Sequence, residues 1–118
     1  MFSKAGIFIL VSACAVFGQV DYQTAVQPVL NARCTSCHGG TSGVTLTGYA
    51  ATMASIGTQY GKTIVTPGDT AGSPLWDKIN PKPEKGSRMP SYGALNDADI
   101  QTIGAWILEG ARETPSSV

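Results

Sequence analysis

The chain contains a single histidine, His38, and only three cysteines, Cys14, Cys34 and Cys37. Any role that needs an imidazole therefore has one candidate. Surplus charge is missing as well: 8 Lys and Arg balance 8 Asp and Glu, which argues against a nucleic-acid partner and against an acidic tail. No apolar run reaches the roughly 20 residues needed to cross a bilayer. There is no internal repeat, low-complexity tract or interdomain linker, and 118 residues allow one compact domain. Phenylalanine is absent after position 17, since Phe2, Phe8 and Phe17 are all three of them.

What the first stretch does contain is the layout of an export signal. Lys4 lies in a short charged start, Ala5 to Phe17 is nearly all apolar, and Gly18 offers a small residue before a cut. Residues 1–18 are expected to be a signal peptide, with a mature domain over 19–118. Val11-Ser12-Ala13-Cys14 also resembles a lipoprotein box. On that second reading the signal ends before Cys14, the lipid is carried there, and membrane contact follows. A third possibility keeps the segment uncleaved. The expected location is exported: periplasmic, lipid-anchored or extracellular. Cleavage at Gly18 leaves Cys34 and Cys37 as the only thiols.

The rest reads as all-α, with short helices and substantial loops. Asp21 is placed to cap a first helix running to about Ala32–Cys34, with Tyr22, Val26, Val29 and Leu30 on one face. Pro28 either kinks that helix or marks where its regular part begins. Thr47 is expected to cap a helix through Ile56, with Tyr49, Met53 and Ile56 aligned. Thr63–Val65 reads as a short extended piece ended by Pro67-Gly68. Ser73-Pro74 opens a helix in the favoured order, cap then proline, covering Leu75–Ile79. From Asn80 to Gly93 prolines, glycines and basic residues form a long loop, and such loops are usually functional. Asn96 or Asp97 caps the last helix, through about Gly110, with Ile100, Ile103, Gly104, Ile107 and Leu108 as its apolar face. Gly104 costs about 1 kcal/mol relative to Ala in mid-helix. A close crossing there, most naturally with the first helix, would account for it.

Cys34-Thr35-Ser36-Cys37-His38 is the attachment signature for c-type haem. Two thiols at i and i+3 share one side of a helical turn, so each can add to one haem vinyl group. The adjacent His38 then reaches the iron. A chance match in this length is on the order of one in a thousand by ordinary composition. The competing readings are weaker. Structural zinc needs four ligands, and no second cluster accompanies these three. A dithiol redox motif belongs in a βαβ setting that the pattern does not offer. A disulfide across three positions closes a loop too small to stabilise much.

For the second axial position, Met53 sits in a predicted helix and reads as core. Met89 sits in Gly86-Ser87-Arg88-Met89-Pro90, a loop that can be draped over a haem face, and is the expected ligand. An open or water-bound iron is the remaining possibility. Met/His ligation fills both axial positions and favours electron transfer over substrate or gas binding. Lys82, Lys85 and Arg88 form either a basic rim that steers acidic redox partners or a solvated loop, with Arg88 at a haem propionate. Trp76 and Trp106 are candidates for either the haem pocket or plain core. Tyr22, Tyr49, Tyr60 and Tyr92 each carry a polar tip that can reach a propionate or a carbonyl.

With these residues in hand, the chain resembles the class I cytochrome c superfamily, in a bacterial monohaem branch. The resemblance rests on Asp21-Tyr22, Gln27-Pro28, the Cys34–His38 signature, Leu46, Tyr49, Pro67-Gly68-Asp69, Ser73-Pro74-Leu75-Trp76, Met89-Pro90, Leu95, Trp106-Ile107 and Gly110-Ala111. It implies a cytochrome c fold wrapped round one covalently attached haem, terminal helices crossing at near right angles, and His38 and Met89 as axial ligands. It implies an electron carrier with redox partner proteins, not an enzyme, and no small-molecule substrate. Between His38 and Met89 the chain departs from mitochondrial cytochrome c. The partner of the second His38 nitrogen and those of the propionates therefore do not carry over. The rival readings are an open-iron haem enzyme or gas-binding protein, and a cytochrome subunit of a larger redox complex.

Overall fold

The computed structural model describes residues 19–115. The expected signal segment, its cut after Gly18 and the lipidation candidate Cys14 lie outside the described residues. The chain winds through a π-helical turn at Tyr22–Val26 into α1, Gln27–Arg33. Then come α2, Tyr49–Ala54, a hairpin of β1, Ile56–Gly57, with β2, Lys62–Thr63, then α3, Pro74–Ile79, and α4, Asp97–Leu108. The hairpin is antiparallel, pairing Ile56 with Thr63 and Gly57 with Lys62. The described residues are thus mostly helical, with short helices and long connections, as expected.

The opening segment shows why Pro28 is tolerated. A proline at that position cannot donate to the carbonyl four residues back, and its ring would clash there. The preceding turn widens to π geometry, closed by the Gln27 N–H on the Tyr22 carbonyl, and regular α-helix begins around the proline. Asp21 precedes the turn without capping its backbone. Its carboxylate instead accepts the Thr24 hydroxyl at 2.7 Å.

The core lies where this segment meets α4. Tyr22, Val26, Leu30, Ile103 and Ile107 are fully buried, each worth about 1.5–3 kcal/mol of transferred apolar surface. The Tyr22 and Trp106 rings sit 5.1 Å apart, so the first and last helical segments are in contact. Their outer ends are laced by Val20 N–H on Glu109 (2.7 Å) and the Gln23 amide on Glu113 (2.8 Å). Asn96 caps α4, accepting the Asp99 N–H at 2.7 Å. The far end closes in a Schellman arrangement: Ala111 N–H on the Trp106 carbonyl, Gly110 N–H on Ile107, with Gly110 at φ 111°.

Several expectations are corrected. Gly104 does not accommodate the first helix. A Cβ there would fall 2.6 and 2.7 Å from ring carbons of Trp76, so the close partner is the indole on α3. Leu108 is 61 % exposed, because the buried side of the last turn runs through Trp106 and Ile107 and leaves the next position facing out. Gly48, not Thr47, precedes α2. Ile56 is exposed and belongs to the hairpin, since Ser55 leaves helical backbone at ψ 135°. Ser73 stands at the N-cap position of α3, but its hydroxyl braces the 66–73 turn, donating to Asp69 O (2.7 Å) and accepting from Thr66 N (2.8 Å).

Candidate functional site

Cys34, Cys37 and His38 come directly after α1, where the helix unwinds. The His38 N–H still bonds the Cys34 carbonyl at 2.9 Å, so the five-residue motif forms one tight turn. The loop after His38 fixes its ring. Gly40, at φ 138°, and Gly43, at φ 79°, fold 39–45 into a compact unit around the single turn Thr41–Gly43, closed by a Gly39–Thr45 bridge. This loop presents the Thr41 carbonyl 3.2 Å from His38 Nδ1. A carbonyl oxygen only accepts, so Nδ1 carries a proton, and the tautomer this selects is the one with its lone pair on Nε2. The Leu46 N–H then bonds back to the His38 carbonyl (2.9 Å). The Leu46 carbonyl in turn takes the buried Gln27 amide at 2.9 Å, and Gln27 is also bonded by the Tyr22 hydroxyl. The histidine loop is thereby anchored to the core.

The loop from Asn80 to Gly93 is held from both ends. At α3, the Met89 N–H bonds the Lys78 carbonyl (2.7 Å), Arg88 Nε the Ile79 carbonyl (3.1 Å), and the Glu84 N–H the Asp77 carboxylate (2.8 Å). The Lys78 ammonium donates to the carbonyls of Lys85 (2.7 Å) and Ser87 (3.2 Å). At α1, Arg33 Nη2 donates to the Gly93 carbonyl at 2.7 Å, its guanidinium lies over the Tyr92 ring, and the Tyr92 hydroxyl donates to the Arg33 carbonyl. The loop is a strap stitched between α3 and α1.

Beneath this strap lies a cleft of about 700 Å³, in the range of about 300–1,000 Å³ found for cofactor sites. Cys34, Cys37, His38 and Met89 all line it. Leu46, Ile64, Leu75 and Ile79 give it an apolar wall, while Arg33, Lys78, Gln59 and Tyr60 supply polar groups. Of the four tyrosines, Tyr60 and Tyr92 line the cleft; Tyr22 is in the core, and Tyr49 donates to the Ala111 carbonyl at 2.8 Å. Neither tryptophan lines it: Trp106 is buried with Nε1 on the Arg112 carbonyl, and Trp76 packs on Gly104. Met53 packs partly buried against the core.

Electrostatics narrow what the motif can do. Burial pushes the Cys34 thiol up to about 11, against the opposing pull of Arg33, so it stays protonated at neutral pH, unlike the lowered thiol of a redox dithiol. Among the described residues no three His, Cys, Asp or Glu side chains gather as a metal-binding group. Burial and the bond to Asp77 push Tyr60 above the usual tyrosine range. Burial alone would raise Asp77, but bonds from Tyr60 and the Glu84 and Lys85 backbone, with the Lys78 charge, hold its carboxyl below the usual range. An apolar cleft lined by two thiols, an imidazole and a thioether is chemically suited to a haem attached through sulfur.

The model of the family described as planctomycete cytochrome C matches residues 34–92, half of the chain. The chain belongs to this family. It is a c-type cytochrome, a class in which haem is covalently attached and whose members are typically electron carriers, usually exported, and not enzymes. The matched segment starts at Cys34 and ends at Tyr92, so it runs from the attachment motif through the strap. No curated protein and no solved structure matches the chain. Three contributors to this site escape sequence reasoning: the Thr41 carbonyl, the Arg33–Tyr92 clasp and the Lys78 carbonyl that seats Met89.

Proposed function

We propose that this cytochrome is a single-electron carrier holding one haem c in the cleft, attached through thioethers to Cys34 and Cys37, with His38 Nε2 and the Met89 sulfur as axial iron ligands. The observation that carries this reading is that these four side chains, one from far along the chain, line a single apolar cleft. When bound, haem supplies a one-electron ferrous/ferric couple.

The chain's own part is attachment, orientation and exclusion of water. Each thiol would add across one vinyl group, sulfur bonding one carbon and the thiol hydrogen going to the other, with no oxidant needed. The Thr41 carbonyl fixes the His38 tautomer that ligation needs. Stitching of the strap at Lys78 and Arg33 keeps Met89 on the cleft without relying on the ligand bond. His38 and Met89 together would hold the iron from both sides and leave no site for substrate, which favours electron transfer over open-iron catalysis or gas binding. Exposed Lys82 and Lys85, with half-buried Arg88, would steer acidic redox partners towards the strap. Export would use residues 1–18, releasing a periplasmic protein at Gly18 or tethering one at Cys14.

Visible spectroscopy tests the ligand set. The ferric protein should show the weak methionine–iron charge-transfer band at the red end of its spectrum. Met53→Ala should keep it and Met89→Ala should lose it. Loss of the band in Met53→Ala, with retention in Met89→Ala, refutes the assignment.

A further inference from the structure

Haem is not uniformly apolar. Its two vinyl groups lie on adjacent pyrroles, and its two propionate carboxylates lie on the other two. Burying carboxylates beside an apolar wall is costly unless donors and positive charge meet them. Arg33 and Lys78 are the two cations lining the cleft. Arg33 immediately precedes Cys34 in the chain, and its side chain is held at the α1 end of the strap. Its guanidinium donates to the Gly93 carbonyl and lies over the Tyr92 ring.

Lys78 is differently placed. It is half-buried, and its ammonium donates to two carbonyls, of Lys85 and Ser87. Carbonyls are neutral, so the charge is not cancelled by them, and an ammonium has three donors. The Gln59 amide converges on the same point. A Cβ built on Gly86 would fall 2.5 Å from Lys78 Nζ, 2.7 Å from Gln59 Nε2 and 2.8 Å from Gln59 Oε1. Gly86, at φ 70°, therefore leaves the space into which both side chains reach. Tyr60 stands beside them with its ring 5.9 Å from Lys78 Nζ. Of the other charged groups nearby, the neighbouring Asp77 feels the Lys78 charge without bonding its ammonium, and the rest are engaged elsewhere or face outward. Asp77 takes the Tyr60 hydroxyl and the Glu84 N–H, Arg88 bonds the Ile79 carbonyl, and Glu84 and Lys85 are exposed on the strap.

From this juxtaposition we infer that Lys78 and Gln59 form the propionate-binding end of the cleft, receiving the haem carboxylates through the ammonium and the side-chain amide. The inference rests on the proposed haem site and assigns a role to two residues outside the attachment motif.

Resonance Raman spectra of the haem-loaded protein report propionate hydrogen bonding through the propionate bending band. Lys78→Met should move that band to lower wavenumber, and Gln59→Leu should move it in the same direction by less. Lys78→Arg should hold it near the wild-type position. Lys62→Met removes the same charge from an exposed position on β2 and should leave it unchanged. An unmoved band in both Lys78→Met and Gln59→Leu, with haem attached and the methionine–iron band present, overturns the inference. If Lys78→Met does not fold, Gln59→Leu decides alone, since its side chain is exposed. Absence of any haem signature in the wild type would instead overturn the haem reading.

Discussion

Substituting alanine at Gly104 isolates the contact between α3 and α4. An alanine Cβ would sit 2.6 and 2.7 Å from two ring carbons of Trp76, well inside contact distance. The glycine carries no positive φ that would penalise a side chain, so the helix itself favours alanine by about 1 kcal/mol. Overpacking against a well-seated ring costs about 1–3 kcal/mol. The net expectation is a loss of up to about 2 kcal/mol, and a fall in Tm of about 4–8 °C for each kcal/mol in a domain of this size. The sign should reverse when the obstacle is removed. In a Trp76→Leu background, Gly104→Ala should stabilise by up to about 1 kcal/mol. Urea unfolding of the four haem-loaded proteins closes a double-mutant cycle, with an expected coupling of about 1–3 kcal/mol. Stabilisation by Gly104→Ala in both backgrounds, with coupling below about 0.5 kcal/mol, would refute the assignment of Trp76 as the reason for this glycine.

Two further substitutions probe the site. Gly43→Ala places a methyl against the backbone carbonyl of Ile56 at φ 79°, and backbone cannot swing away as a side chain can. It should destabilise by about 1–2 kcal/mol from the left-handed conformation alone, and it should perturb the ligand spectrum by moving the Thr41 carbonyl off His38. An unchanged spectrum and midpoint would contradict the proposed role of this loop. Asp77 has a folded-state pKa below its unfolded value, so its contribution is present above the unfolded pKa, about 3.9, and is lost as pH falls through the lower folded value. Acid titration should therefore cost the wild type more stability than Asp77→Asn below about pH 4, and parallel curves would contradict this.

Much of the frame is legible in the sequence because it rests on local rules. Asn96 as a cap, Pro74 at the head of α3 and Pro28 at the start of regular helix all stem from backbone donors and fixed φ. The buried faces Tyr22–Val26–Leu30 and Ile100–Ile103–Ile107 come from helical period. Periodicity defines a face but not the neighbour that covers it, so it points Gly104 at the first helix when the indole of Trp76 is what meets it. A hairpin of two residues per strand is too short to show alternation, so by pattern alone Ile56 extends α2. In the site, the residue types are legible and their supports are not. His38 is oriented by a carbonyl, Met89 is seated by a carbonyl, and Arg33 clasps carbonyls. Any residue type presents that acceptor, so the supports leave no signature in the sequence.

Whether Cys34 and Cys37 carry haem is read from the intact mass of the protein purified from its native host. The mature chain should be heavier by one haem, with peptide mapping placing both thioethers within Cys34–His38. A haem-free mass with a Cys34–Cys37 disulfide would contradict it.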